Sequence, residues 1–465
     1  MENIHSIFNK QQKTKFILRK TDAKTRIEKL KILKATIENF ETEIYQALQT
    51  DLRKSKFEAS ATELFFIYGE IDFAIKNLKK WLKPKAVSRT LSNALASNKI
   101  IYEPKGVCLI IAPWNYPFQL IMSPLISAIA AGNCAILKPS EISVETAKVI
   151  SLIIKKAFNE DEIACFEGGV EVSTTLLNLP FDHIFFTGST AIGKIVMEAA
   201  AKNLTSVTLE LGGKSPIIID STANLKKAAT KIAWGKLVNA GQTCIAPDYV
   251  LIDENLEHEF INEYILASKQ LFYKNEQEID EENYGKIINE KQYSRLKNLV
   301  EKSIAFGAVA NKEFYFKDED LTISPVILSN IKDGNPIMEE EIFGPILPII
   351  IYKNIDEAIA FINNKEKPLA LYAFSNNTQN INKILNETSS GGACINDVLV
   401  HISNPNLPFG GVNHSGMGSC HGYFGFKNFS HERAVMQQSK IDFTYFVYPP
   451  YQKKLSLLKW LKKLM

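Results

Sequence analysis

From Gly106 onward, short and wholly apolar runs alternate with stretches of helical periodicity, and this alternation restricts the chain more than any other feature. Residues 107–112, 134–137, 182–186, 207–211 and 217–219 read as strands, while 120–131, 144–158, 191–201 and 224–239 read as helices. A strand that is apolar at every position, and not only at every second one, needs cover on both faces. The pattern therefore predicts an α/β fold with a parallel sheet packed between helices. Upstream, Ile27, Leu30, Leu33, Ile37, Phe40, Ile44 and Leu48 recur every three or four residues and predict one amphipathic helix over residues 24–54. The polar stretch 88–98 has no such period and reads as a connector or an arm.

The 465 residues suffice for two or three domains. The net charge of +3 is spread over interleaved acidic and basic residues, so no basic face calls for a nucleic acid and a small molecule is the better partner. Six cysteines, Cys108, Cys134, Cys165, Cys244, Cys394 and Cys420, lack the close pairing of a zinc site or a disulfide framework. No metal is implied, and a reducing compartment is expected. The first residues do not have the pattern of a secretory signal and no run reaches about 18 apolar residues, so the expected location is the cytoplasm. Residues 275–283 are acidic and read as solvated surface. Near the end, Leu457, Leu458, Trp460, Leu461 and Leu464 fall opposite Lys459, Lys462 and Lys463 on a helical wheel. This basic amphipathic segment would either pack on protein or touch a membrane surface peripherally.

Five segments carry side chains suited to chemistry. In Asn239-Ala240-Gly241-Gln242-Thr243-Cys244 a polar, glycine-containing turn follows a helix and presents one cysteine. A free thiol titrates near about 8.5, so a nucleophilic role needs a neighbouring base or positive charge. Cys108, Cys134 and Cys165 lie within apolar runs and read as small buried hydrophobes. In Thr208-Leu209-Glu210-Leu211-Gly212-Gly213-Lys214 a carboxylate interrupts an apolar strand. Burial would raise its pKa into the range of a general base, whereas on an edge strand it would simply face water. Gly188-Ser189-Thr190-Ala191-Ile192-Gly193-Lys194 follows a strand and opens a helix, a geometry that aims backbone N–H groups at phosphate, although a tight glycine turn reads equally well. Ile195 stands where a nucleotide hydrolase needs Ser or Thr for magnesium, which argues against a P-loop ATPase. Lys138, Ser140 and Glu141 end another strand, in position to grip a ribose, or else as solvated charge. Pro113-Trp114-Asn115-Tyr116-Pro117 fixes an asparagine amide between prolines and aromatics, and a fixed amide donor suits an oxyanion.

Together, in order, Pro113-Trp114-Asn115, the 188–193 segment, Glu210-Leu211-Gly212-Gly213-Lys214, Gly241-Gln242-Thr243-Cys244 and Glu341-Ile342-Phe343-Gly344-Pro345 resemble the aldehyde dehydrogenase superfamily over residues 21–450. Gly69-Glu70-Ile71-Asp72, Thr243-Cys244-Ile245-Ala246-Pro247-Asp248-Tyr249 and Ser415-Gly416-Met417-Gly418 are similar to its class 3 branch of fatty and aromatic aldehyde dehydrogenases. Asn413-His414 departs from the Gly-Asn common there, in a loop that the resemblance puts beside the substrate entrance.

The resemblance implies a Rossmann-like dinucleotide-binding domain (residues 1–84 and 106–211) and an α/β catalytic domain (212–420). It also implies a small β bridging and oligomerisation element (85–105 and 421–446), followed by the amphipathic tail (447–465). Cys244 would attack the aldehyde, Asn115 and the Cys244 N–H would hold the oxyanion, and Glu210 would activate the water that hydrolyses the thioester. Gly188, Ser189 and Gly193 would face the pyrophosphate, with Lys138, Ser140 and Glu141 at the adenine ribose. Trp114 would line the backbone path, and Glu341 and Phe343 would meet the nicotinamide ribose and ring. Glu141 favours NAD by repelling a 2′-phosphate, while Lys138 and Lys194 leave NADP open. The expected reaction is oxidation of medium- to long-chain or aromatic aldehydes to acids by a homodimer. Transfer of the thioester to coenzyme A is the nearest rival, and Glu210 argues against it. A non-catalytic scaffold fits poorly with Cys244, Glu210 and Asn115 all present.

Overall fold

The computed structural model describes residues 2–90, 93, 95–311, 313–441, 448–452, 454, 455 and 462. Of the expected amphipathic tail, the residues that make its apolar and basic faces, 457–464, lie outside the described residues except Lys462. Among the described residues, no helix is long and apolar enough to cross a membrane.

The apolar runs form two mainly parallel sheets. The first has six strands, in the order Gly416–Met417, Ser206–Glu210, His183–Thr187, Val107–Ile111, Cys134–Lys138 and Ile163–Cys165. All five residues of Val107–Ile111, of Cys134–Lys138 and of His183–Thr187 are buried, as strands covered on both faces require. The second sheet has seven strands and begins after the Gly212-Gly213 pair with Pro216–Ile219. It continues with Tyr249–Asp253, Val326–Ser329, Ile346–Tyr352, Ala370–Phe374 and Gly392–Ile395, and Val309–Ala310 is added antiparallel at one edge. The small β element is a three-stranded antiparallel sheet of Lys85–Ala86, Ser97–Pro104 and Ser430–Gln437.

The helix expected over residues 24–54 is two helices, Ala23–Asn39 and Glu41–Leu52. Phe40 leaves helical geometry (φ −110°, ψ 13°), yet Leu33, Ile37, Ile44 and Leu48 are all fully buried, so the apolar period runs straight through the break. Asp22 caps the first helix by accepting from Thr25 N, and Arg53, at φ 55°, ends the second. A further helix, Glu2–Leu18, precedes them. It buries Ile4, Ile7 and Phe8, and Gln11 donates to the carbonyls of Ala135 and Glu160.

In the six-stranded sheet the carboxyl ends of neighbouring parallel strands lead into 112–115, 139–141, 188–189 and 211–213. In an open parallel sheet, ligands gather at such ends. The Gly416–Met417 strand lies antiparallel against Leu209 and Glu210 and closes this edge.

Candidate active site

The helix Leu225–Leu237 stops before a turn whose backbone is held in an unusual form. Asn239 (φ 52°), Ala240 (φ 51°) and Gly241 (φ 76°) are three successive residues in the left-handed region. For residues other than glycine this costs on the order of 1–3 kcal/mol each, so the surroundings must enforce it. They do so through side chains. Gln242 is fully buried, donates to the Asn239 and Lys286 carbonyls and accepts from Ile288 N. Asn239 Nδ2 donates to the carbonyls of Asn115 and Gln242, and its N–H is received by Glu58. Glycine is required at 241, since a Cβ there would come within 2.4 Å of the Gly344 carbonyl oxygen. Two residues beyond Gln242, the half-buried Cys244 is presented as a free thiol.

Four side chains are arranged about the turn that carries this thiol. Asn115 is buried and its amide donates to Gln242 O at 3.0 Å, which leaves the second N–H of the amide uncommitted. The neighbouring Tyr116 hydroxyl meets Thr243 Oγ1 at 2.7 Å. Glu210 ends its strand buried, with neither carboxylate oxygen hydrogen-bonded, and desolvation pushes it up to about 8. The Cys420 thiol beside it acts in the opposite direction, and desolvation outweighs it. Glu341 lies against the backbone of Gly212, where a Cβ would fall almost on its carboxylate. Burial, and secondarily Asp248, raise Glu341 to about 8 as well. The Cys244 thiol is pushed up to about 12, first by desolvation and then by the Glu341 and Glu210 carboxylates. Without added positive charge it is a protonated thiol at neutral pH.

At the neighbouring strand ends the other predicted residues assemble. The buried Lys138 ammonium is 2.5 Å from Glu141, and Ser140 Oγ accepts from Ile142 N. Ser189 caps the helix Thr190–Ala201 by accepting from Ile192 N. A Cβ at Gly188 would come within 2.5 Å of the Phe186 ring, and one at Gly193 within 2.7 Å of Leu211 Cδ2. Gly193 thus lets the helix approach the neighbouring strand end closely, while Gly188 clears the ring at the end of its own strand. A capped helix N-terminus with a buried lysine two strands along the sheet fits a polyanionic dinucleotide. The rings of Trp114 and Phe343 meet edge to face, with centroids 5.4 Å apart. His414 sits on this side too, with its carbonyl receiving Thr190 Oγ1 and its ring 2.5 Å from Glu366.

Some of the surrounding framework is invisible to motif reading. Glu58, Lys54 and Glu63 are buried charges behind Asn115 and the cysteine turn. The one signal for Glu63 is a carboxylate standing directly before the apolar run Leu64-Phe65-Phe66-Ile67. Cys420, buried beside Glu210, had no sequence signal at all. Among the described residues no cluster could hold a metal ion.

The model of the aldehyde dehydrogenase family matches residues 1–435. The chain belongs to that family. A dimeric, NADP-preferring aldehyde dehydrogenase of Mus musculus is 44% identical over 94% of this chain and 95% of its own. Aldehyde dehydrogenase family 3 member A2, also of Mus musculus, is 45% identical over 88% of this chain and 84% of its own. Such family 3 relatives bear out the class 3 resemblance. The substrate-bound state of Staphylococcus aureus AldH superposes with a TM-score of 0.94 at 43% identity, covering 99% of both chains. The protein is an oxidoreductase that oxidises aldehydes to carboxylic acids with NAD or NADP.

Proposed function

We propose that Cys244 is the nucleophile of this reaction, and that Asn115, Glu210 and Glu341 divide the remaining work around it. The observation that carries the reading is the pair of unpartnered oxygens on buried Glu210, raised to about 8 beside a free thiol on a strained turn. Bound NAD(P)+ supplies the positive charge that favours the thiolate and the carbon that accepts hydride. Attack by Sγ on the aldehyde carbon gives a thiohemiacetal whose oxygen takes the uncommitted Asn115 N–H and the Cys244 N–H, donors that need no reorganisation as charge develops. Loss of hydride leaves an acyl thioester. Glu210, in its carboxylate form, takes a proton from water, which attacks the acyl carbon, and the acid departs as Sγ leaves as thiolate.

Gly188, Ser189 and Gly193 are assigned to the pyrophosphate, and Lys138, Ser140 and Glu141 to the adenine ribose. Trp114 borders the backbone path, with Glu341 and Phe343 at the nicotinamide end. The six-stranded sheet is accordingly the dinucleotide-binding domain and the seven-stranded sheet the catalytic one. We assign medium- to long-chain or aromatic aldehydes as substrates. The rings of Phe66, His421, Phe409, His401 and Tyr372 form a continuous row with successive centroids 5.0–6.2 Å apart, and Tyr372 bonds the Ile245 carbonyl beside Cys244. We further propose a cytoplasmic homodimer joined through the exposed strand Ser430–Gln437, whose free edge is suited to pairing across a two-fold axis. A monomer in light scattering contradicts the dimer.

The test is NADH or NADPH formation with an aldehyde series and no coenzyme A. Cys244→Ala is expected to lower turnover by roughly 10⁴-fold or more. Activity that appears only on adding coenzyme A would replace this reading with the acylating one.

A further inference from the structure

Behind Asn115 lies a charged pair with no place in the chemistry. Lys54 and Glu63 have side chains with no solvent exposure, and their charges meet at 2.5 Å. The ammonium has three donors and three partners: Glu63 Oε1, the Asn115 carbonyl at 3.1 Å and the Tyr116 ring, whose centroid is 3.8 Å away. Glu63 Oε2 receives both Phe118 N at 2.9 Å and Gln119 N at 3.0 Å. One ion pair therefore fixes residues 115, 116, 118 and 119. These positions carry the amide that bonds Gln242 O and the hydroxyl that meets Thr243. The Asn115 carbonyl also receives Asn239 Nδ2, so the pair grips the strained cysteine turn from behind. Glu63 is brought to this place by a π-helical turn, Ser60–Leu64, set between the helices Lys56–Ala59 and Phe65–Trp81. Such turns recur at functional sites because they redirect one side chain within a helix.

A buried ion pair is weak evidence for stability, because desolvation offsets most of the attraction and apolar residues of similar size often serve the fold as well. What a hydrogen-bonded pair supplies, and an apolar pair cannot, is a fixed direction for the groups it holds. We propose that Lys54 and Glu63 are positioning residues that orient the Asn115 amide and the Cys244 turn for thiohemiacetal formation. This rests on the assignment of Asn115 as an oxyanion donor.

The experiment compares wild type with Lys54→Met, Glu63→Gln, the double variant Lys54→Met/Glu63→Gln, which removes both charges but keeps an acceptor for the Phe118 and Gln119 N–H groups, and Asn115→Ala. For each, thermal unfolding, NADH affinity by fluorescence and the single-turnover rate of NADH formation are measured. Each single variant strands a buried group and is expected to lower the unfolding temperature. The double variant is expected to recover that temperature and to bind NADH as wild type does, while its single-turnover rate stays roughly ten- to a hundredfold low with aldehyde KM little changed. If the rate recovers together with stability, the pair is structural only and the proposal is overturned. If Asn115→Ala itself turns over normally, the underlying assignment of Asn115 has failed instead. A slow Asn115→Ala beside a normal double variant would isolate the failure to Lys54 and Glu63.

Discussion

The edge of the six-stranded sheet that we assign to the cofactor and the cysteine turn are built by opposite means. At the sheet edge each element is local: Ser189 caps the helix that it precedes, Lys138 pairs with Glu141 three residues on, and Gly193 clears Leu211. At the cysteine turn almost nothing is local. Asn115 reaches Gln242 across 127 positions and Glu63 reaches Phe118 across 55, and three left-handed residues persist because distant groups hold them. A phosphate site needs backbone donors and a helix end, which a short motif supplies entire. A nucleophile with an oxyanion site needs donors at fixed positions from several segments, so it is assembled by the tertiary fold.

The sharpest test of the second half of this comparison is Glu210→Gln. Without a base for water, steady-state turnover is expected to fall on the order of 10³-fold, while the first turnover of NADH persists as a burst in stopped-flow absorbance. In wild type the thioester-hydrolysis rate should climb about tenfold per pH unit below about 8 and level off above it, since Glu210 acts only when ionised and is raised to about 8. The same burial affects stability. A carboxyl raised from 4.5 to about 8 contributes stability that is full below 4.5 and is lost as pH rises through about 8. Glu210→Gln should therefore melt higher than wild type at pH 9, and by a larger margin than at pH 5. Next in size, Asn115→Ala should lower the burst rate about a hundredfold, by removing one preorganised donor, with cofactor affinity unchanged.

On the sheet-edge side the expected effects are smaller and fall on binding. Glu141→Ala frees Lys138 and removes the carboxylate that repels a 2′-phosphate. The ratio of kcat/KM with NADP to that with NAD should rise about tenfold. An unchanged ratio would detach Glu141 from the ribose. His414→Ala breaks a largely exposed pair with Glu366 and should change kcat and cofactor KM by less than about twofold. A large effect would make the 412–416 loop part of the site and blur the distinction between the two regions.

The same contrast explains what the sequence made legible. The parallel sheet followed from runs apolar at every position, and the site residues from motifs whose glycines have steric reasons now visible at 188, 193 and 241. The break at Phe40 was not legible, because the apolar period continues across it while only the backbone changes. The Gly416–Met417 strand is two residues long, too short for any period, and pairs with residues more than 200 positions away. Lys54 and Glu63 lie in ordinary charged-helix surroundings in the sequence, and only the fold shows both side chains sealed from solvent behind Asn115.

The division of labour around Cys244 is tested most directly by intact-mass spectrometry of Glu210→Gln, mixed with an aliphatic aldehyde and NAD and then digested to locate any adduct. The account predicts an acyl group retained on the peptide bearing Cys244, formed in step with one equivalent of NADH and absent from Cys244→Ala/Glu210→Gln. Release of free acid at the wild-type rate, or an acyl group on any other residue, would contradict it.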